Sequence, residues 1–393
     1  MSDQWHPETR AIRMQAERSS HREHSVPIYA TSSFTFDSAE HARAMFAGEE
    51  EGLLYSRYGN PNTDEFVAKL CSLEGCDDGI ATASGMAAMF ASLAAFLRAG
   101  DHVVVSRAVF GSTAQIVSRL LPRWGIEFDF VDLADLEQWK RAIRGNTRLL
   151  FAESPSNPGL EIADLAALAE IARNAGILLS VDNCFATPAL QNPAQFGADI
   201  VTHSATKFID GQGRVLGGAV LTRAELMEEL RFFSRHTGPA LSPFHGWLLS
   251  KSLETLQVRM DRHCATAGRI ADFLAEHPAV SRVRYPFHAA HPQQELARKQ
   301  MRAGGGIVTF ELAGGVEAAR SFLDSLEIIS RSSNLGDSRS IATHPATTTH
   351  SKLSEDERRS VGISPGLIRL SCGLEHPEDL MADIDRGLSA PDV

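Results

Sequence analysis

The sequence predicts an α/β fold: a large domain built on an open, mostly parallel sheet with helices on both faces, then a smaller C-terminal α+β domain. Three observations carry this. Between about residues 79 and 222, short β-branched or aromatic runs alternate with helix-period segments. Several of those runs are apolar on both faces, as strands covered by two helical layers must be. Beyond the middle of the chain, VSRVRYP, GGIVTFELAG, IISRSSN and LIRLSCGLE alternate instead with helices around 315–326 and 376–388, an α+β pattern.

Taken in order, residues 1–55 show little periodicity beyond a helix expected near 7–18 and read as an arm. A large domain is expected over 56–248. In it GIATAS forms a strand and leads into a small-residue helix, GMAAMFASLAAFLRAG. HVVVS, IEFDFV, RLLFAES, ILLSVDN and DIVTHSAT read as further strands, and VLGGAVLT is compatible with one more. IADLAALAEIARNAG reads as a helix closed by Gly176 at its C-cap. SPFHGWLLSKSLETLQVRMDRHC reads as one long helix over 242–264, bridging to a C-terminal domain over 249–393.

The 393 residues are 43% hydrophobic with a mean hydropathy of −0.13, enough for a real core and inconsistent with disorder. Net charge is −11 and the pI about 5.8, which excludes general nucleic-acid binding. No apolar run reaches the roughly 18 residues of a membrane span, and the charged N-terminus has no secretory apolar stretch. The chain is therefore expected to be soluble and cytoplasmic. Its cysteines, Cys71, Cys76, Cys184, Cys264 and Cys372, form no CxxC pair and are read as free thiols. No metal site is expected: nothing completes a tetrahedron around Cys71 and Cys76, and His344 and His350 bracket PATTT without an acidic partner.

Ligands of open α/β sheets gather at the carboxyl ends of the strands. Here those ends hold Ser84-Gly85-Met86, Phe110-Gly111, Glu153 to Asn157, Asp182-Asn183 and Ser204 to Lys207. Lysine is scarce: Lys69, Lys140, Lys251 and Lys299 sit in charged helical stretches and Lys352 in a polar loop. Lys207 alone ends an apolar strand run, where loss of solvent would make it a usable amine nucleophile. Asp182 ends another buried strand and needs a partner, for which a protonated ring nitrogen is suitable. Ser84, Gly85 and Met86 open a helix directly after a strand, forming an anion cradle to which Ser204 and Thr206 would add hydroxyls. Arg369, between Ile368 and Leu370, can grip a carboxylate in a fork. GQGRVLGG has the wrong spacing for a dinucleotide loop and precedes a strand, so its glycines are read as turns.

The run SVDNCFATPALQNPAQFGADIVTHSATKFIDGQGRVLGGAV resembles the cofactor-lysine region of the Cys/Met-metabolism enzymes dependent on pyridoxal 5′-phosphate (PLP). That family includes cystathionine γ-synthase, cystathionine lyases, methionine γ-lyase and the sulfhydrylases. The resemblance runs from PIYATSSFTF to LIRLSCGLE, nearly the whole chain. DNCFATPALQ, KFIDGQGRVLGG, GPALSPFHGW and NLGDSRSIATHPATTTH are most similar to its O-succinylhomoserine sulfhydrylase branch.

The resemblance implies the aspartate-aminotransferase-like fold (fold type I) with PLP carried on Lys207 and Asp182 on the pyridine nitrogen. Ser84, Gly85, Met86, Ser204 and Thr206 would hold the phosphate and Phe110 would stack on the ring. Tyr55 and Arg57 would reach the phosphate of a neighbouring subunit, implying a homo-oligomer, as a dimer or a tetramer built from two dimers. Asn157 and Asn334 would lie beside the substrate, and Arg369 would take its α-carboxylate. Many members have tyrosine where this chain has Phe110, and serine where it has Asn334; both departures match the sulfhydrylase branch. YGNPNT also departs from the commoner YxNPT at Asn62. The implied reaction joins O-succinyl-L-homoserine and sulfide into L-homocysteine and succinate. An O-acetyl donor, cysteine as acceptor, and γ-elimination by a lyase remain as alternatives.

Overall fold

Apolar residues in consecutive positions explain the central sheet. The computed structural model of the chain describes residues 4–351 and 354–389, so Lys352 lies outside the described residues. The larger sheet comprises β1 (Asp78–Thr82), β2 (His102–Ser106), β3 (Glu127–Val131), β4 (Thr147–Glu153), β5 (Leu178–Asp182), β6 (Ile200–His203) and β7 (Gly218–Thr222). In β2, Val103 and Val105 pack into one apolar cluster and Val104 into another; in β4, Leu149 and Phe151 take the first side and Leu150 and Ala152 the second. The helix Gly85–Ala94 covers the first face and the helix Leu165–Ala175 the second. Side chains alternate across a strand, so a run apolar at every position is what two covered faces demand.

The strand order is β1-β7-β6-β5-β4-β2-β3. From β3 through β2, β4 and β5 to β6 all pairings are parallel, while β7 runs antiparallel to β6 and to β1. The expected extra strand VLGGAVLT is thus present as β7, reversed. The parallel arrangement brings the carboxyl ends of β4, β5 and β6 to one edge, with Glu153 in register with Asp182 and Asp182 with Thr202.

A second sheet is formed by β8 (Val280–Arg284), β9 (Ile307–Leu312), β10 (Ser330–Arg331), β11 (Ile341–Thr343) and β12 (Leu367–Ser371), in the order β10-β11-β12-β9-β8. Its pairings are antiparallel except β10 with β11. It shares an apolar cluster with the helices Leu256–Glu276, Gly315–Asp324 and Pro377–Leu388.

Three elements differ from expectation. The single helix over 242–264 is two, Pro243–Leu253 and Leu256–Glu276. At the break, Arg259 Nη2 donates to Ser252 O at 2.9 Å, beside a long bond from Thr255 N at 3.3 Å. The N-terminal helix is confined to Pro7–Arg13, and the arm adds a second helix, Ala39–Ala47, capped by the Ser38 side chain and Gly48. A helix that the sequence reading passed over, Pro61–Glu74, begins at the Asn60 cap with Pro61 in its first turn. Asn62 ties the arm to this helix: its Oδ1 accepts from Tyr29 N at 2.7 Å and its Nδ2 donates to Pro27 O at 2.8 Å.

The turn after β6 is held from behind by a single side chain. Arg259 is buried, and its guanidinium donates to Phe208 O (2.5 Å), Ile209 O (3.0 Å) and Ser252 O. Gly211 makes the approach feasible, because a Cβ there would lie 2.0 Å from Arg259 Nη1. Arg259→Ala strands two buried carbonyls, those of Phe208 and Ile209, at about 1–3 kcal/mol each before relaxation. The urea midpoint is expected to fall by the equivalent of roughly 3 kcal/mol. An unchanged midpoint would show that the turn stands without the clamp.

Candidate active site

Lys207 lies in the turn after β6, its N–H bonded to Ser204 O at 3.2 Å and its carbonyl accepting from Gly211 N at 2.8 Å. Its Nζ donates to Asn334 Oδ1 at 2.6 Å, a neutral partner, and no ion pair to it occurs among the described residues. Burial, with Arg369 adding to it, holds the amine below the ordinary lysine range, against a smaller opposing effect of Cys184. Lys69 is the instructive contrast. It is fully buried, unlike the half-buried Lys207, which the sequence did not foretell, and it is paired with Glu65 (3.2 Å) and Glu254 (3.1 Å). One buried lysine is thus neutralised by acids, whereas Lys207 rests on an amide.

Asp182 ends β5 almost wholly buried. Its Oδ1 accepts from Cys184 N at 3.0 Å, and its other oxygen has no donor among the described residues. Burial raises its pKa to about 6, against the Cys184 bond and His203. Beside it in register, Glu153 accepts from Phe110 N at 2.6 Å and is pushed well above the usual carboxyl range by burial, then by the Asp182 charge.

The helix Gly85–Ala94 begins at the cap Ser84, whose hydroxyl accepts from Ala87 N at 3.2 Å. Gly85 N and Met86 N have no acceptor among the described residues. A Cβ on residue 85 would come within 2.4 Å of Ser204 Cβ and 2.5 Å of its Oγ, so glycine is what lets Ser204 close on the helix start. The Thr206 hydroxyl is bound at both ends to Gly217, donating to its carbonyl (3.2 Å) and accepting from its N–H (3.1 Å). Two free N–H groups and the Ser204 hydroxyl, at a helix N-terminus, suit an anion.

Arg369 lies in β12 at 2% exposure, with burial lowering its pKa to about 10. Its fork donates to Asn157 Oδ1, Ser333 O and Asn334 O, each at 3.1 Å, and its buried Nε has no partner. Asn334 therefore touches Lys207 with its side chain and Arg369 with its backbone. His350 lies close enough for Arg369 to lower its pKa, after burial, to about 4. Both ring nitrogens of His344 are bonded, to Thr347 Oγ1 (2.9 Å) and Pro365 O (2.7 Å).

The structure thus gathers Lys207, Asn334, Arg369 and Asn157 in one chain of contacts, with Asp182, Phe110, Ser84, Gly85, Met86, Ser204 and Thr206 on the adjoining strand ends. It does not bring Tyr55 and Arg57 there. Tyr55 is exposed, and Arg57 stacks on the Tyr58 ring at 4.8 Å and donates to Arg235 O. Gly211 and Gly213 adopt left-handed conformations (φ 69° and 65°) in the turn leading to β7, as read from sequence. Gly336, which the sequence reading passed over, is equally constrained: its φ is 74° and a Cβ would lie 2.5 Å from Phe208 N. Its signal was the NLGD turn chemistry, visible only as part of a longer motif.

The chain matches the family model described as Cys/Met metabolism PLP-dependent enzyme over residues 8–389. It is 48% identical over 383 residues to an O-succinylhomoserine sulfhydrylase of Pseudomonas aeruginosa, covering 98% of this chain and 95% of that protein. It is 45% identical over 367 residues to an L-methionine gamma-lyase of Fusobacterium nucleatum, with 93% of each covered. A solved O-acetylhomoserine (thiol)-lyase from Campylobacter jejuni superposes with a TM-score of 0.95 at 35% identity, covering 98% of this chain and 100% of that one, and holds N'-pyridoxyl-lysine-5'-monophosphate.

The raised pKa of Asp182 has a consequence for the ligand-free chain. Its folded pKa lies above its unfolded value, so between about pH 4 and 6 the folded state binds more protons and stability falls as pH rises. Asp182→Asn keeps the oxygen that accepts from Cys184 N and removes the charge. At pH 7 the ligand-free variant is expected to be more stable than wild type by on the order of 2 kcal/mol, with no gain near pH 3.5. Parallel urea curves at the two pH values check this, and an equal difference at both would refute it.

Proposed function

The chain belongs to the Cys/Met metabolism PLP-dependent enzyme family, and we propose that within it the protein catalyses a γ-replacement, joining O-succinyl-L-homoserine and hydrosulfide into L-homocysteine and succinate. The Cγ–O bond to succinate breaks and a Cγ–S bond forms. The observation that carries the reading is a half-buried lysine without an acid partner among the described residues, one strand away from a buried aspartate with an oxygen that no described donor reaches.

The residues present fit the cofactor. Lys207 offers an amine whose pKa burial lowers, the direction that covalent attachment of PLP needs. The unpartnered oxygen of Asp182 suits a protonated pyridine nitrogen, whose positive charge would favour the ionised carboxylate. Gly85 N, Met86 N and the Ser204 hydroxyl suit the phosphate, with Ser84 and Thr206 shaping the cradle through their own bonds. Phe110 suits the ring face. Bound PLP supplies an electron sink that makes the α- and β-protons of the amino acid removable.

The remaining roles fall to the chain. Arg369 orients the substrate through its α-carboxylate, exchanging neutral amide and carbonyl acceptors for a charged one. Asn157 and Asn334, which hold that fork, flank the substrate. Lys207 Nζ would be the base that accepts the α-proton and returns protons as the product forms. Phe110 carries no exchangeable proton, so this traffic stays with the lysine.

The proposed roles of Tyr55 and Arg57 lie across a subunit boundary. Both sit at the surface in the single chain, and we assign them to the phosphate of a neighbouring copy, in a dimer that pairs further into a tetramer.

Incubation with O-succinyl-L-homoserine, with and without sulfide, tests the reaction. Homocysteine formed only with sulfide is expected; 2-oxobutanoate dominating even with sulfide would make the protein a lyase. Comparing the succinyl with the acetyl ester, and sulfide with cysteine, fixes donor and acceptor. Lys207→Ala is expected to lose turnover. Arg369→Leu is expected to raise KM by about 10²-fold, consistent with about 2–5 kcal/mol for truncating a buried charged partner. A wild-type KM would remove Arg369 from the substrate.

A further inference from the structure

The strand ends that carry Asp182 and Lys207 are joined from below by one carboxylate. Glu74, the last residue of the helix Pro61–Glu74, is fully buried. Its Oε1 accepts from His203 Nε2 at 2.6 Å and from Asn183 Nδ2 at 2.7 Å. Asn183 directly follows Asp182 on leaving β5, and its N–H bonds to Thr202 O at 3.0 Å. His203 is the last residue of β6 and directly precedes Ser204. The orientation of the Asn183 amide is fixed by its other contacts: Gln191 Nε2 donates to its Oδ1 at 3.0 Å, and its Nδ2 donates to Gln191 O at 2.8 Å. Gln191 Nε2 also holds Ser154 O at 2.8 Å, beyond the end of β4.

A buried carboxylate is costly unless a cation balances it. Lys69, on the same helix, is held by Glu65 and Glu254. Cys71 and Cys76 are the thiols that feel the Glu74 charge, and neither is a cation. The imidazole of His203 is the group placed to balance it. Its Nδ1 is buried without a partner, so Glu74 is the side chain that fixes the ring. Asp182 is near enough for His203 to lower its pKa, and Glu153 of β4 stands in register with Asp182.

We propose that Glu74 is a positioning residue for the reaction: with His203 it forms a buried ion pair that locks the ends of β5 and β6 together and gives Asp182 a fixed positive neighbour. The inference rests on the assignment of Asp182 and Lys207 to the cofactor. His203 draws the Asp182 carboxyl down against the effect of burial, which is the direction a partner of a protonated ring nitrogen requires.

Glu74→Gln preserves size and one acceptor but leaves the imidazole without its counter-charge. Three readouts separate positioning from mere structural support: affinity of the reloaded apoprotein for PLP, the pH midpoint of the bound cofactor's visible band, and the split between kcat and KM. In E74Q, PLP affinity is expected to fall about 10-fold and the midpoint to rise by about one unit, because a ring nitrogen held less firmly protonated leaves its neighbour more basic. The kcat should fall with KM little changed, and Glu74→Asp should recover part of each effect. A lower melting temperature with wild-type affinity and midpoint would overturn the proposal. Should E74Q not fold, Asn183→Ser removes only the amide that shares Oε1. It is then expected to weaken PLP about 3-fold, about 0.6 kcal/mol, and wild-type affinity would overturn the clamp. Lys207→Ala in parallel keeps the two readings apart: a wild-type visible band in that variant sinks the cofactor assignment itself, whereas wild-type behaviour confined to the Glu74 and Asn183 variants sinks only this inference.

Discussion

A buried carboxylate and a half-buried amine stand on neighbouring strand ends of one sheet, and neither neutralises the other. Asp182 bonds to a backbone N–H, and Lys207 to the amide of Asn334. Much of the surrounding structure serves to hold that unresolved pair of charges in place. A direct ion pair would be the cheaper arrangement locally, as Lys69 shows with Glu65 and Glu254. Keeping Asp182 and Lys207 apart leaves each with capacity for an outside partner. Three parallel strands ending together make the separation rigid, because the register Glu153 to Asp182 to Thr202 is fixed by backbone bonds rather than by side chains.

That rigidity is reinforced by backbone closeness that only glycine permits. Gly85 allows Ser204 against the helix start, Gly211 admits the Arg259 guanidinium, and Gly336 lays the Asn334 loop on the backbone of Lys207 and Phe208. The smaller sheet is therefore more than a lid. Through Asn334 it supplies the partner of the lysine and through Arg369, under the proposed reading, that of the substrate carboxylate, and Arg259 from its long helix grips the turn that carries Lys207.

Much of this was legible in the residues. Runs apolar at every position, such as HVVVS and RLLFAES, could only be strands covered on both faces, and the strand-end rule then led to Asp182 and Lys207. Other features were hidden for definable reasons. The helix Pro61–Glu74 carries Lys69, Glu65 and Glu74 on buried positions, so its charged residues imitate a solvated segment. Its cap signals, Asn60-Pro61 and Gly75, were the better guide. The break between Leu253 and Leu256 lies in a stretch without glycine or proline, where helical periodicity runs on unbroken and only the tertiary pull of Arg259 and Glu254 marks the interruption. The pairing of Glu74 with His203 spans well over a hundred residues of sequence, and no local pattern encodes it.

Asn334 gives the arrangement its chemical logic. Its side-chain oxygen holds the Lys207 amine while its backbone oxygen accepts from Arg369. A carboxylate arriving at Arg369 competes with that backbone oxygen, with Ser333 O and with the Asn157 amide, because the Nε is the one unpartnered nitrogen of the fork. Charged acceptors bind a guanidinium more strongly than neutral ones, so the exchange favours the substrate. The same exchange loosens the loop on which the lysine rests. Under the proposed reading, recognition of the substrate carboxylate and release of the lysine for proton transfer are thus mechanically linked through one residue. A serine at 334 would keep the backbone contact to Arg369 and lose the amide oxygen that holds Lys207, so under the proposed reading the asparagine and Phe110 belong together: where the ring-facing residue has no proton to give, the lysine that would carry the protons is held by a neutral acceptor.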